Sequence, residues 1–259
     1  MTGASYWVDL RTSSDDELGA GFYFTSRYLL TAEHCLRQLP ADDHCVRIVH
    51  DDGTVARGLV CARDEDADLA LISLLGLTGR RPPPADVCAR DDRWRTPSRP
   101  KASDPHLSGV VNEPSADFHC AGGAVVKALQ LQSDLVLGNY NGYSGSAVER
   151  LGKEPRLAGV IVEQYLDRQS GDRATNVLFA ITMHEAMERF ADHFQHSGSA
   201  PAAVKPEVTC SARVMDLLAT YTEMLRHARD WQAQGLMSPA EVQMIQVNIA
   251  RTIVESTIK

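Results

Sequence analysis

The chain is 259 residues long, with 26 basic and 34 acidic side chains, a formal net charge of −8, and 44 % hydrophobic residues. This composition excludes wholesale disorder and leaves room for one large domain or two smaller ones. The acidic balance speaks against a general nucleic-acid binder, which needs a basic face to displace counterions from phosphates. Arg80-Arg81 and the stretch 93–101 are too short and proline-rich to supply one.

In chain order, residues 1–10 carry neither a basic n-region nor an apolar h-region, so no signal peptide is expected. No run approaches the roughly 18–20 apolar residues of a membrane helix, so no membrane partner is expected. A cytoplasmic location follows as the default. With it, Cys35, Cys45, Cys61, Cys88, Cys120 and Cys210 are expected to stay reduced. From Asp16 to about Ile181 the chain shows short apolar or β-branched runs at 21–24, 28–31, 46–50, 69–74, 134–137, 157–162 and 177–181. Asp51-Asp52-Gly53 reads as a hairpin turn, and 79–84 and 93–105 read as loops. Such spacing predicts an all-β sandwich or barrel rather than alternating βαβ units.

After Ile181 the period changes. Thr182 with Glu185 three residues on predicts a helix start of the capping-box type. Residues 196–207 read as a flexible linker behind a domain spanning 1–195. Beyond it, Val214, Leu217, Leu218, Tyr221, Leu225 and Ala228 fall on one helical face that ends at Gly235. Ser238-Pro239-Ala240-Glu241 opens a second helix carrying Val242, Ile245, Ile249 and Ile253. Residues 208–259 are therefore expected to form an α-helical hairpin. Two helices cannot bury both apolar faces alone, so the hairpin should dock on the preceding domain, on a second copy or on a partner.

Three stretches carry the chemistry: Thr31-Ala32-Glu33-His34-Cys35, Asp68-Leu69-Ala70-Leu71 and Gly142-Tyr143-Ser144-Gly145-Ser146. Each sits at the edge of an apolar run. Each alone has a plainer reading: a structural His-Cys pair, a solvated acidic turn with Asp64, Glu65 and Asp66, and a polar loop. Together, in the order His, Asp, Ser, they are what nucleophilic catalysis needs. A serine hydroxyl is a poor nucleophile at neutral pH and needs a base with a pKa near 7, and a carboxylate orients that base. The pairs His34-Cys35, His44-Cys45 and His119-Cys120 do not make a zinc site, because adjacent strand residues face opposite ways and no C-x-x-C spacing occurs. Gly122-Gly123 lacks the Lys-Ser/Thr of a phosphate loop. Ser146 breaks the G-x-S-x-G elbow of α/β-hydrolases, whose histidine also follows the serine.

The motifs resemble T-A-x-H-C, D-x-A-L and G-x-S-G-G/S of the chymotrypsin-like (trypsin-fold) serine proteases, over roughly residues 16–195. The resemblance implies a mainly β protein of two six-stranded-type antiparallel barrels with an active site between them. It implies a protein substrate and neither cofactor nor metal. His34 would be the general base, Asp68 its orienter and Ser144 the nucleophile, with the N–H groups of Gly142 and Ser144 receiving the oxyanion. Gly138 would form the base of the pocket for the residue before the scissile bond, with Val162, Glu163 and Gln164 along its wall. Phe179-Ala180-Ile181 before a helix is similar to Deg-type bacterial members, and Gly-x-Ser-Gly-Ser to glutamyl endopeptidases. Three positions depart from the pattern. Tyr143 replaces the Asp that secreted trypsins pair with a freed N-terminus. Cys35 lacks a cysteine partner in 19–24, and Val162 stands where a serine usually supports the catalytic Asp. A small protease with a helical tail is similar to effectors of bacterial defence systems, which implies a regulatory protein partner bound through 208–259. The alternatives are an inert trypsin-fold binding module or an unregulated housekeeping protease.

Overall fold

The computed structural model describes residues 5–40, 43–75, 79–101, 103–137, 139–166, 174–191 and 193. Gly138, the expected linker and the expected helical hairpin lie outside the described residues. Six strands, β1 (Trp7–Arg11), β2 (Glu17–Tyr23), β3 (Tyr28–Ala32), β4 (Cys45–His50), β5 (Val55–Asp64) and β6 (Leu69–Leu74), close into an antiparallel barrel. Six more, β7 (Arg93–Arg95), β8 (Ser108–His119), β9 (Val125–Ser133), β10 (Ala147–Arg150), β11 (Arg156–Leu166) and β12 (Ala174–Thr182), close a second. Around the first barrel the order is β1-β2-β3-β6-β5-β4. Adding six to each number gives the order around the second.

The burial pattern explains why these segments are strands. In β1 and β4, alternate residues (Val8 and Leu10; Val46, Ile48 and His50) point inward while their neighbours stay partly exposed. The unbroken apolar run 69–72 of β6 is buried at every position, as a strand covered on both faces must be. In β11, Ile161 packs into the interior of the second barrel, while Val160 and Val162 join the cluster that fills the first. The hairpin at 51–54 closes as its sequence predicts, with Gly53 at φ +78° and His50 N–H donating to Thr54 at 2.9 Å.

Two expectations are corrected. Residues 134–137 are not a strand: β9 ends at Ser133, and Val136 is 76 % exposed. Asp134 is still tied to β8, its N–H donating to the Ser108 carbonyl at 2.8 Å and its carboxylate accepting from Arg93 and Ser108, and the strand goes no further. The stretch 93–105 is not all loop. It contains β7, whose Trp94 is fully buried and donates its indole N–H to Val110 at 3.2 Å. The long strand β8 escaped the sequence reading because Pro114 and two register shifts break its period.

The helix α1 (Met183–Arg189) starts where expected, with the Thr182 hydroxyl accepting the Glu185 N–H at 3.2 Å. The Glu185 carboxylate turns instead to Arg189, at 2.8 Å, and to the Lys127 N–H. Two polar latches tie the barrels. Tyr6, ahead of β1, donates to Glu149 of β10 at 2.5 Å, and Arg95 donates to the other oxygen of that carboxylate at 2.6 Å. Arg189 of α1 pairs with Asp64 of β5 at 2.8 Å. Among the described residues no helix is long and apolar enough to cross a membrane.

Candidate active site

His34 sits in a single 3-10 turn, Glu33–Leu36, directly after β3. The turn is fixed at its first residue. Glu33 is buried, and its carboxylate accepts from Arg37 at 2.9 Å and Arg63 at 2.8 Å, so the charge is compensated. Asp68, one residue ahead of β6, takes a left-handed conformation at φ +55°, which short polar side chains tolerate. Its carboxylate is used at both oxygens. One accepts the His34 backbone N–H at 2.8 Å, and the other lies 2.6 Å from His34 Nδ1. A carboxylate beside Nδ1 fixes the proton there and leaves Nε2 free to act as a base. The same contact raises the pKa of His34 above its ordinary 6.5, with a smaller contribution from Cys35 and opposition from burial.

Ser144 lies between Gly142 (φ +87°) and Gly145 (φ +80°), conformations that strain any side chain. The first barrel holds this turn from outside. Ala20 N–H donates to the Ser144 carbonyl at 3.2 Å, and a Cβ on Gly145 would lie 2.1 Å from the Ala20 carbonyl. Gly145 N–H donates to Ile161 at 2.8 Å, which sets the turn against β11. Neither the Gly142 nor the Ser144 N–H donates to another group among the described residues. No hydrogen bond joins the Ser144 hydroxyl to the His34 ring, a contact often long until substrate is bound.

His34, Asp68 and Ser144, brought from both barrels, line one cleft of about 310 Å³. Val162, Glu163 and Gln164 line it too. Gly142 lines the adjoining depression with His34 and Ser144. Burial and the charge of Asp68 push the Glu163 carboxyl up, with His34 opposing. Val162 gives Asp68 no hydroxyl, and the backbone N–H of His34 supplies the second hydrogen bond instead. Phe118, Tyr140 and Leu178 also line the cleft and were not singled out from sequence, and Cys120, weighed there only as a metal ligand and a thiol, lines it too. Phe118 and Cys120 come from the unrecognised β8 and its exit, and no motif marks them. Cys35 is unbridged, with its sulfur 3.6 Å from the Ser144 carbonyl oxygen.

A family model described as "Trypsin-like peptidase domain" matches residues 19–150, which hold the His34, Asp68 and Ser144 stretches. The chain belongs to the trypsin-like peptidase domain family. Solved structures with the same fold include the Rv3671c protease in an inactive form, 16 % identical over 72 % of this chain and 88 % of that one, with a TM-score of 0.53. A serine-to-alanine mutant of Rv3671c from M. tuberculosis H37Rv, also inactive, is 15 % identical over 75 % and 89 %, with a TM-score of 0.55. The HtrA-type protease AlgW with a decapeptide is 14 % identical over 75 % and 66 %, with a TM-score of 0.58. The sequence matches none of the curated proteins with which it was compared. A trypsin-like peptidase thus presents two closed barrels and a cleft lined by the three residues that its motifs single out.

Proposed function

We propose that this trypsin-like peptidase is a serine endopeptidase that cleaves proteins through an acyl-enzyme. The observation that carries the reading is the His34–Asp68 contact at 2.6 Å in the cleft that also holds Ser144 on its glycine-flanked turn. Ser144 Oγ attacks the scissile carbonyl carbon while His34 Nε2 takes its proton. The carbonyl oxygen gains the negative charge, and the N–H groups of Gly142 and Ser144 receive it. Collapse of this intermediate breaks the C–N bond, and His34 returns the proton to the departing amine. A water molecule, activated by the same histidine, then releases the acid product.

Val162, Glu163 and Gln164 would contact the peptide on the way to the scissile bond. The apolar stripe of 208–259 supports a further role for the tail, the binding of a regulatory protein. Labelling by a fluorophosphonate probe tests the core of the reading. Labelling that disappears in Ser144→Ala is expected, and equal labelling of the variant would refute it. Deletion of 205–259 tests the tail: basal hydrolysis that is unchanged with and without every candidate helical partner removes that role.

A further inference from the structure

The two N–H groups offered to the oxyanion flank one residue, Tyr143. Its ring belongs to the core of the second barrel, and only 3 % of the residue is exposed. The hydroxyl donates to the Pro105 carbonyl at 2.6 Å, and the ring meets Tyr140 edge-on at a centroid distance of 6.5 Å. The main chain of Tyr143 is held as well. Its N–H donates to the Tyr140 carbonyl at 3.2 Å, and its carbonyl accepts from Ser146 N–H at 3.1 Å. Tyr140 is itself fixed, donating to Leu135 at 2.5 Å and accepting the Leu137 N–H at 3.3 Å.

These contacts bear directly on where the donors point. The Tyr143 carbonyl and the Ser144 N–H belong to one planar peptide, so holding the first aims the second. The Tyr140-to-Tyr143 hydrogen bond with Gly142 at φ +87° closes a type II turn, which sets the peptide carrying the Gly142 N–H. Pro100 backs that turn, standing 2.8 Å from where a Gly142 Cβ would be. Oxyanion donors act only when their orientation is fixed before charge develops.

We propose that Tyr143 is a positioning residue, whose buried phenol, bonded to the Pro105 carbonyl, holds the Gly142–Ser144 turn in its oxyanion-receiving form. The proposal rests on the peptidase reading above. It assigns to a side-chain anchor inside the second barrel the task of keeping the turn formed. Burial also pushes the phenol up to about 12, so it stays a hydrogen-bond donor at any pH where the enzyme would work.

The test compares the full-length wild type with Tyr143→Phe and with Tyr6→Phe, which removes a buried hydroxyl bond remote from the cleft. Four quantities are read: peptide kcat, peptide KM, the Ki of a peptide aldehyde whose adduct carries an oxyanion, and the phosphonate labelling rate. In Tyr143→Phe, kcat, aldehyde affinity and labelling rate should each fall about 10-fold, a fraction of the 10²–10³ seen when one oxyanion donor is deleted. KM should stay within about twofold, as expected for an interaction made only in the transition state. Tyr6→Phe should lower the melting temperature and leave all four at wild-type values. Wild-type aldehyde affinity in Tyr143→Phe overturns the proposal, as does an equal loss in Tyr6→Phe, which would make the effect one of stability. Hydrolysis that survives Ser144→Ala is a separate failure, of the peptidase reading itself.

Discussion

A histidine whose Nδ1 is held by a carboxylate gains twice, in orientation and in basicity, and both gains can be measured at His34. Because the three side chains would act as a unit, Ser144→Ala and His34→Ala should each lower peptide hydrolysis by about 10⁴-fold or more. Asp68→Asn should cost a similar factor, since an amide at this place favours the wrong imidazole tautomer. The pH profile carries independent information. His34 must be neutral to take the serine proton, and Asp68 raises its pKa above 6.5. The acidic limb of kcat/KM should therefore lie above pH 6.5 and move to lower pH in Asp68→Asn. A wild-type limb below 6.5 would contradict the contact seen. The same shift has a consequence for stability. A group whose folded pKa is raised stabilises the fold fully below its unfolded pKa and loses that contribution as pH rises through the folded value. The stability difference between wild type and His34→Ala, followed by urea unfolding from pH 5 upward, should thus be largest below 6.5 and shrink on the alkaline side.

At the scale of elements, the turn bearing Ser144 is a joint between barrels. Gly145 is its tightest point: an added Cβ would lie 2.1 Å from the Ala20 carbonyl and 2.5 Å from Thr31 Oγ1. Gly145→Ala should destabilise the protein by about 2–4 kcal/mol, from left-handed strain and overpacking together, and should also suppress hydrolysis. Gly53→Ala is the matched control. Its φ is +78°, but nothing lies within 4 Å of the new methyl, so about 1 kcal/mol and full activity are expected. Chemical denaturation of both variants decides. What could be read from the chain beforehand follows the same physics. The runs at 69–74 and 157–162 were legible because strands buried on both faces need unbroken apolar sequence. Strand β7 was not legible, because a three-residue strand with one buried side chain, Trp94, has no period to detect. Residues 134–137 misled for the opposite reason. Leu135 and Val136 stay exposed, Leu137 only partly packs against the second core, and the chain there runs toward Tyr140 and the turn that bears Ser144. His34, Asp68 and Ser144 were visible because each lies in a short local motif. Phe118, Cys120 and Leu178 were not, because only the closure of the second barrel brings them to the cleft.

For the whole molecule, the contacts that join the barrels decide whether the cleft exists. Glu149 is 2 % exposed and receives both Tyr6 and Arg95. Removing it in Glu149→Ala leaves the buried Tyr6 phenol without its partner, while the half-exposed Arg95 turns to water, and should cost about 1–3 kcal/mol in unfolding free energy. A loss under 1 kcal/mol would show that this latch is dispensable. The division of labour between the barrels also orders events in time. His34 and Asp68 both belong to the first barrel, which is complete in sequence at Leu74, whereas the second closes only with β12, which ends at Thr182. A ribosome adding 5–20 residues per second needs about 5–20 s to cross the 182 − 74 = 108 residues between those points. Through that interval a nascent chain carries His34 and Asp68 but lacks the strands that close the second barrel behind Ser144. On the peptidase reading such a chain would be silent toward its neighbours on the polysome, and the capacity to cut would arrive late, when the last strand locks in place.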